Sequence, residues 1–280
     1  QAHNWTVPMD AIIHELDIIN PLDSWLSTTY AMLLEFIPDA RLLFALLGYV
    51  PFFNHALLSI IFDCIDQYDL LPQCKIDSGL RGDASKPDAK VTSEAKKQAV
   101  MTLVLGLPMG FMGAAFDAWL VPGMHSKELP SVVVMAAQVV AAFIILDFVY
   151  YWGHRSLHHE SFYFIHKVHH QYHAVNTWAA PYMHPLEGVG ALIMLSFISW
   201  LIRMHGLAKF IFILLFGMLS AYQHTGYDLP FIPLEISRFH VFHHSHNVGA
   251  YGVITTFWDR VFGTDKPYRR WRQKQLQPVP

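Results

Sequence analysis

The sequence predicts an all-α, polytopic membrane protein with about four transmembrane helices and a cytosolic, histidine-rich helical cap. Two observations carry this prediction. Apolar residues make up 53% of the 280-residue chain and charged residues only 15%, against roughly 25% charged residues in a typical soluble domain. Of the 18 histidines, 14 lie between His154 and His246. The net charge of −3 argues against nucleic acid as a partner.

Four stretches approach the roughly 20 apolar residues that a membrane-spanning helix needs. They are residues 41–65, which Pro51 interrupts, 99–121, 131–152 and 186–222. The last stretch is too long for one span, and the charged segment Arg203–Lys209 in its middle predicts the turn of a helical hairpin. Residues 25–37 are amphipathic and are expected to lie along the membrane interface.

The chain divides into regions by composition. Residues 1–130 form an N-terminal interfacial and transmembrane region, with a polar loop at 74–97. Residues 131–265 contain the histidine clusters, and residues 266–280 form a basic tail. Positive segments beside a membrane tend to stay in the cytosol. The histidine clusters follow the third and fourth apolar stretches, so we expect them to emerge on the same cytosolic face.

Three groups of histidines have a spacing typical of metal ligands on helices. The groups are His154 and His158, then His166, His169 and His170, then His240, His243 and His244. Intervals of three and four residues place side chains on one face of a helix, and imidazole is the commonest side-chain ligand of transition metals. A lone histidine is usually hydrogen-bonded or exposed, but eight at this spacing indicate a metal site.

The number of imidazoles predicts two metal ions. Eight histidines exceed what one ion uses, since zinc sites usually take four ligands, and imidazole suits zinc, copper, iron and nickel. Acidic residues near the clusters are few, namely Glu160, Glu187, Asp228 and Asp259. The sequence therefore predicts a dinuclear site that is all-histidine or nearly so.

Asp147 is a further candidate for the site. It lies seven residues before His154, two helical turns away on the same face, near the end of a predicted span. An ionisable residue in such a position is a functional candidate. We expect it to accept the N–H of a ligating imidazole and so to orient the ring. The alternative is a carboxylate that only reaches the interface.

The segments HRSLH, HKVHH and HVFHH resemble the three histidine boxes of the membrane-bound sterol desaturase/fatty acid hydroxylase superfamily. The flanking segments DFVYYWGHR, HPLEG, HTGYDLP and FWDRVFGTD are similar to that family's signatures, so the resemblance covers about Asp147 to Asp265. HPLEG and HTGYD look most like the branch that contains sterol C4-methyl oxidases, cholesterol 25-hydroxylase and sphingoid-base C4-hydroxylases. That branch often has Asp after the first histidine of the last box, where this chain has Val241.

The resemblance implies a fatty acid hydroxylase-like catalytic domain over residues 131–265, with a ligand set and an activity. The implied ligands are His154, His158, His166, His169, His170, His184, His224, His240, His243 and His244. The implied cofactor is two iron ions, with zinc as a substitute in purified protein. The implied reaction is O2-dependent oxidation, foremost hydroxylation, of a C–H bond in a membrane lipid such as a sterol, fatty acyl or sphingoid lipid. Electrons would come from an NAD(P)H reductase through cytochrome b5 or a similar carrier.

Other interpretations remain open from the sequence. The same site could desaturate a lipid. A membrane metal-dependent hydrolase would need an open metal and a glutamate base, as in H-E-x-x-H, a motif that the sequence lacks. A metal transporter would place its ligands at mid-span, and haem would use only two of the histidines. For a eukaryotic chain, the resemblance implies a multi-pass protein of the endoplasmic reticulum with its histidines facing the cytosol.

Overall fold

A computed structural model describes residues 20–80, 85–232 and 235–276. Within these residues the regular secondary structure is helical, and the β-type pairing is one isolated bridge between Lys75 and Tyr227, so the predicted all-α class is confirmed. The first 19 residues of the predicted N-terminal region and residues 277–280 of the predicted tail lie outside the described residues.

The described α-helices are numbered α1 to α11 in chain order. They are Asn20–Phe36, Ala40–Leu47, Val50–Gln67, Ala89–Leu120, Val132–Leu157, Tyr163–His166, Pro185–Leu201, Gly206–Gln223, Ile236–His246, Phe257–Phe262 and Lys266–Gln275. Short 3-10 turns lie at Pro72–Cys74, His169–Gln171 and Thr177–Ala179.

In the described part of the chain, three helical stretches are long and apolar enough to cross a membrane. They are Ala40–Gln67, Val132–Leu157 and Gly206–Gln223, with mean hydropathies of 1.6, 2.5 and 1.5. Helix α7 is apolar but shorter, and with α8 it forms the predicted hairpin. The predicted span at 99–121 forms the C-terminal part of α4, in which the side chains at 103 and 105–111 lie outside the description.

The predicted interruption at Pro51 is a local break between α2 and α3. Pro51 occupies the first turn of α3, where a helix leaves its N–H groups without intrahelical partners and proline is therefore tolerated. The N–H of Gly48 still bonds to Phe44 O at 2.9 Å and closes α2. The two helices together make one stretch of spanning length.

The predicted polar loop at 74–97 is shorter in the structure than the sequence suggested. Helix α4 begins at Ala89, because the Asp88 side chain caps it by accepting the N–H of Val91 at 2.9 Å. At the other end of the segment, Ile76 is buried and its N–H bonds to Gly226 O at 2.9 Å. The polar composition does mark the end of the bundle here, but both ends of the segment are ordered by hydrogen bonds and by the start of α4.

The central helices pack through α5, α7 and α8, whose interface contains the fully buried residues Leu146, Ile198 and Phe212. Helices α3, α5 and α8 end where α4 and α7 begin. At this end, Trp178 Nε1 donates to Asp63 Oδ2 at 2.9 Å and ties a connecting segment to α3. We call this the histidine end of the bundle, because both the first box and His224 lie there.

The predicted basic tail is largely the helix α11. Tyr268 and Trp271 bury one face of α11 against α9, where Trp271 lies 5.4 Å from the ring of Phe242. The basic side chains occupy the remaining surface, and Lys266, Arg269, Arg270 and Lys274 are exposed.

Helix α1 packs at the opposite end of the bundle. The Tyr30 hydroxyl donates to Ser126 O at 2.9 Å, and Asp23 Oδ1 accepts the N–H of Val132 at 2.6 Å. Trp25 and Phe36 are 63% and 83% exposed, which is consistent with the interfacial position predicted for this segment.

Candidate metal centre

The first and third histidine boxes lie on helices, as their spacing predicted. His154 lies in the last turn of α5 and His158 is the C-cap residue of that helix. His240, His243 and His244 lie in α9, and all three are buried. Each box therefore presents its imidazoles on one side of a helix.

The second box does not lie on one continuous helix. His166 ends the short helix α6, and His169 and His170 form a 3-10 turn after it. The turn points the adjacent side chains of His169 and His170 in different directions, with ring planes 83° apart. This box therefore contributes to two places in the site.

Five imidazoles form the first cluster, and their ligand atoms all lie within 4.8 Å of one another. They are His154, His158, His166, His170 and His243. The Nε2 atoms face each other. His154 Nε2 lies 3.0 Å from His166 Nε2, and His158 Nε2 lies 3.1 Å from His243 Nε2. His170 Nε2 lies 3.1 Å from the Nε2 atoms of both His166 and His243.

Four imidazoles form the second cluster, again within 4.8 Å of one another. They are His169, His224, His240 and His244, all buried. His224 Nε2 lies 3.3 Å from His169 Nε2 and 2.9 Å from His240 Nε2. His240 Nε2 lies 3.1 Å from His244 Nε2.

The two clusters are neighbours. The rings of His170, in the first, and His244, in the second, stack with their centroids 4.7 Å apart. Adjacent residues of the second and third boxes belong to different clusters, so the same backbone segments carry both sites. The arrangement offers two adjacent groups of imidazole nitrogens, each able to hold a metal ion.

The opposite ring nitrogens hold the imidazoles in place. In the first cluster, the Nδ1 atoms of His154 and His243 lie 2.8 and 2.7 Å from the carbonyl oxygens of Tyr251 and Gly249. In the second, the Nδ1 atoms of His169, His224 and His244 lie 3.0, 2.8 and 2.8 Å from the carbonyl oxygens of Tyr182, Ser220 and Tyr172. A carbonyl oxygen only accepts, so each of these Nδ1 atoms carries the hydrogen.

This tautomer decides what the clusters can bind. With the hydrogen on Nδ1, each Nε2 presents a lone pair, and lone pairs facing each other at about 3 Å repel unless a cation lies between them. A metal with bonds of about 2.1 Å to imidazole separates neighbouring ligand nitrogens by about 3.0 Å at right angles and about 3.4 Å at tetrahedral angles. The observed spacings of 2.9 to 3.3 Å fit that range, so the residues fit a metal ion in each cluster.

Burial keeps these imidazoles in the neutral form that metals bind. Desolvation lowers the pKa of His158 and His169 to about 4. It also lowers the pKa of His166, His170, His240, His243 and His244 below the ordinary value. A buried imidazolium would lose hydration and repel its neighbours, so protonation does not compete with a metal near neutral pH.

Glu187 is a residue of the site whose partner the sequence did not reveal. Its Oε1 lies 2.7 Å from His166 Nδ1, which makes it the one carboxylate bonded to a clustered histidine among the described residues. A carboxylate on the outer nitrogen of a ligating histidine fixes the ring and raises its basicity. The sequence signal is the motif HPLEG, which places Glu187 near the boxes but does not show which histidine it contacts.

Of the ten histidines that the resemblance assigned as ligands, His184 is the one outside both clusters. Its Nδ1 accepts the N–H of Leu186 at 3.2 Å and caps α7. Three histidines that the sequence placed beside the boxes but off their pattern, namely His159, His173 and His246, are exposed and outside the clusters.

Asp147 is buried, but its carboxylate bonds to Thr255 rather than to an imidazole in the described structure. Oδ1 accepts the Thr255 N–H at 2.9 Å and Oδ2 accepts the Thr255 hydroxyl at 2.7 Å. The contact that the structure shows is with Thr255, in place of the expected hydrogen bond to a ligating histidine. Asp147 and His154 face the same loop from α5, but the carboxylate meets the Thr255 N–H and hydroxyl there, while His154 Nδ1 meets the carbonyl oxygen of Tyr251.

Fold and site together define a helical membrane protein with a polyhistidine metal centre. The family model described as fatty acid hydroxylase matches residues 139–264. Methylsterol monooxygenase 1 of Gallus gallus is 31% identical over 204 residues, which cover 68% of this chain and 68% of that protein. Methylsterol monooxygenase 2-2 of Arabidopsis thaliana is 32% identical over 197 residues, covering 64% and 73%. The chain belongs to the fatty acid hydroxylase family, and these relatives fall in the branch that its motifs predicted.

Some relatives align over a shorter segment. Methylsterol monooxygenase 1 of Rattus norvegicus is 33% identical over 159 residues, which cover 53% of this chain and 53% of that protein. The matched segments therefore span from about half to about three quarters of the relatives named here. No solved structure matches the chain.

Proposed function

We propose that this protein oxidises a C–H bond of a methylated sterol with O2 at a dinuclear iron centre, and that the first product is the alcohol. The observation that carries the proposal is the pair of adjacent clusters of inward-facing Nε2 atoms at one end of a bundle of membrane-crossing helices. The names of the relatives supply the substrate class, and the histidine boxes supply the expectation of iron.

The nine clustered histidines would hold the two ions, five imidazoles around one and four around the other. Bound iron would supply the O2 activation and the oxidising power that C–H cleavage needs. The overall change is R–H + O2 + 2 e⁻ + 2 H⁺ → R–OH + H2O. The two electrons would come from an NAD(P)H-dependent reductase through cytochrome b5 or a similar carrier.

The protein's own groups position the ligands and exclude water. The five Nδ1–carbonyl contacts and Glu187 hold six of the nine rings in place, so their Nε2 atoms are preorganised for binding. Every clustered histidine except His158 is buried, which keeps the site dry and shields a reactive oxidant from water. His158 is half-buried and marks the side on which the first cluster is least covered.

The membrane side of the first cluster is aromatic. The ring of Tyr150 lies 5.7 Å from that of His154 and 6.1 Å from that of Phe216, between α5 and α8. A sterol entering from the bilayer would place its apolar body along these helices, with the reacting carbon directed toward the histidine end. We place that end on the cytosolic side and, for a eukaryotic chain, the protein in the endoplasmic reticulum.

The test uses the purified full chain in lipid nanodiscs, loaded with Fe²⁺ without oxygen. With cytochrome b5, its reductase, NADPH, a methylsterol and ¹⁸O2, we expect about two iron ions per chain and a sterol alcohol that carries one ¹⁸O atom by mass spectrometry. A desaturase would give an alkene without ¹⁸O, and a hydrolase would need neither O2 nor reductant. Either result would refute the proposal.

His169→Ala and His173→Ala form a matched pair of variants for this assay. Both lie at the second box, but His169 is in the second cluster and His173 is exposed outside both clusters. We expect His169→Ala to lose metal and product, and His173→Ala to retain both. Normal metal content and turnover in His169→Ala would show that the second cluster is not the metal site.

A further inference from the structure

The loop between α9 and α10, residues 247–256, touches the first cluster through its backbone. The carbonyl oxygens of Gly249 and Tyr251 accept the Nδ1–H groups of His243 and His154 at 2.7 and 2.8 Å. These two histidines come from different helices, α9 and α5. The loop therefore sets the relative orientation of these two imidazoles. It does so through backbone carbonyls and not through its side chains.

Asp259, in the first turn of α10, holds the middle of this loop. Its Oδ1 accepts the Tyr251 N–H at 2.9 Å and the Thr264 hydroxyl at 2.6 Å, and its Oδ2 accepts the Gly252 N–H at 2.7 Å. Asp259 is fully buried. The Gly252 N–H belongs to the same rigid peptide unit as the Tyr251 carbonyl that His154 uses, so a shift of the carboxylate would move that carbonyl.

Asp147 holds the end of the same loop. Both of its carboxylate oxygens bond to Thr255, one to the backbone N–H and one to the hydroxyl. Because Asp147 lies on α5 two turns before His154, it fixes the loop to the same helix that carries one of the oriented rings.

The loop has little freedom to relax around these bonds. Gly249 has φ of +61°, and a Cβ built on it would lie 2.2 Å from Thr264 O. A Cβ on Gly252 would lie 2.3 Å from Thr255 O and 2.8 Å from Asp259 Oδ2. Real Cβ atoms do not approach backbone oxygens so closely, so only glycine at these two positions lets the loop pass the carbonyl oxygens of Thr264 and Thr255 in this conformation.

We propose that Asp259 and Asp147 are positioning residues. They fix loop 247–256 so that its carbonyls hold His154 and His243 in the tautomer and orientation that a metal ion needs. The proposal rests on the metal centre of the proposed function. It assigns the effect to the first cluster alone, because the second cluster takes its Nδ1 contacts from Tyr182, Ser220 and Tyr172.

The two acids differ in what an amide in their place would do. In Asp259→Asn the NH2 group must face a backbone N–H, either of Tyr251 or of Gly252, and a backbone donor cannot become an acceptor. In Asp147→Asn the NH2 group can face the Thr255 hydroxyl, which can turn and accept. We therefore expect Asp259→Asn to weaken the first site and Asp147→Asn to have a smaller effect on the same site.

The experiment is a titration of the metal-free full chain in detergent with Co²⁺ against a competing chelator, followed by visible absorption. The wild-type protein should bind two ions. Asp259→Asn should bind one ion with wild-type affinity and the other about 10- to 100-fold more weakly, with a changed absorption band for that ion alone. If Asp259→Asn does not fold, Thr264→Val serves the same test. It removes the hydroxyl that donates to the Asp259 carboxylate, and it should lower the Co²⁺ affinity of the same site.

Asp117→Asn is the matched control. Asp117 is also a largely covered acid, with its side chain 13% exposed, but it bonds Lys209 at 2.7 Å, in the first turn of α8, far from the histidine end. It should lower the unfolding temperature and leave both Co²⁺ affinities unchanged. Wild-type affinities in Asp259→Asn, or an equal loss at both sites, would overturn the proposal. A wild-type chain that binds two Co²⁺ ions but gives no O2-dependent sterol product would overturn the proposed function and not the loop's role, whereas fewer than two ions would overturn both.

Discussion

The ring nitrogens of the clustered histidines have divided roles. In six of the nine rings Nδ1 meets a fixed acceptor, a backbone carbonyl in five and Glu187 in the sixth, and Nε2 is left facing the cluster. Because a backbone carbonyl cannot be mutated away, the orientation of these rings depends on the conformation of the segments that carry the carbonyls. Residues such as Asp259 and Glu187 therefore matter to the site although neither belongs to the histidine set.

His184 gives the first prediction at this scale. Its Nδ1 caps α7 and it lies outside both clusters, so His184→Ala should keep two metal ions and cost only the cap, about 1 kcal/mol of stability. Metal analysis and thermal unfolding of the purified variant check this, with wild-type protein as the reference. Loss of one ion from His184→Ala would show that His184 ligates metal in the loaded protein.

Acid stability gives the second. Burial lowers the pKa of His158 and His169 from an ordinary 6.5 to about 4 in the metal-free fold, so the unfolded chain binds protons first as the pH falls. Stability of the metal-free protein should therefore be constant above about pH 6.5 and fall below it, by up to about 1.4 kcal/mol per pH unit for each such histidine. Thermal unfolding in detergent at pH 7.5 and 5.5 measures this, and an unchanged or higher unfolding temperature at pH 5.5 would contradict it.

Among the secondary-structure elements, helix α9 carries three of the clustered histidines. Its outer face packs against α11, where Phe242 contacts Tyr268 and Trp271. The segment that its composition predicted to be a basic tail thus packs against α9, the helix of the third box, and supports it. The reason is that Tyr268 and Trp271, three residues apart, fall on one face of α11 while the cations fall on the other.

Trp271→Ala tests this support. Trp271 is 8% exposed, and removal of a buried tryptophan side chain typically costs about 3–5 kcal/mol. We expect a lower unfolding temperature and faster proteolysis within α11, followed by metal loss at lower temperature than in the wild type. The control is Arg270→Ala on the exposed face of the same helix, which should behave as wild type; equal effects of the two variants would rule out the packing argument.

In the whole molecule, the two ends of the bundle differ in their polar groups. The histidine end holds the site, and the opposite end holds a buried ion pair in which Lys209 Nζ bonds Asp117 and Ser196, so that α4, α7 and α8 are tied together. Charges buried at membrane depth are tolerated when they are paired.

The last prediction concerns this pair. Lys209→Met leaves the largely covered Asp117 carboxylate without its cationic partner and should destabilise the protein by up to about 3–5 kcal/mol. The double variant Lys209→Met/Asp117→Leu removes both charges and should recover most of that loss. Unfolding temperatures of the three proteins in one detergent provide the measurement, and a single variant as stable as the wild type would show that the pair contributes nothing.

Much of the architecture was readable from the sequence, because apolar length and helical period are local properties. The hairpin of α7 and α8 follows from two apolar stretches around Arg203–Lys209, and the break at Pro51 follows from its missing N–H. The histidines that gather in the clusters were also identified, since ligand spacing is visible within each box and the family motifs add His224.

The rest depends on contacts between segments far apart in the chain, which no local pattern records. The shared helix face predicts a contact between Asp147 and a ligating histidine, but the hydrogen-bond partner of Asp147 is Thr255, 108 residues away in the chain. The same holds for the carbonyl of Tyr251, 97 residues from His154, and for the division of His169 and His170 between two clusters. The sequence thus determined the helices and the candidate ligands, while tertiary structure alone decided how the rings are oriented, because hydrogen-bond partners are fixed only when distant segments pack together.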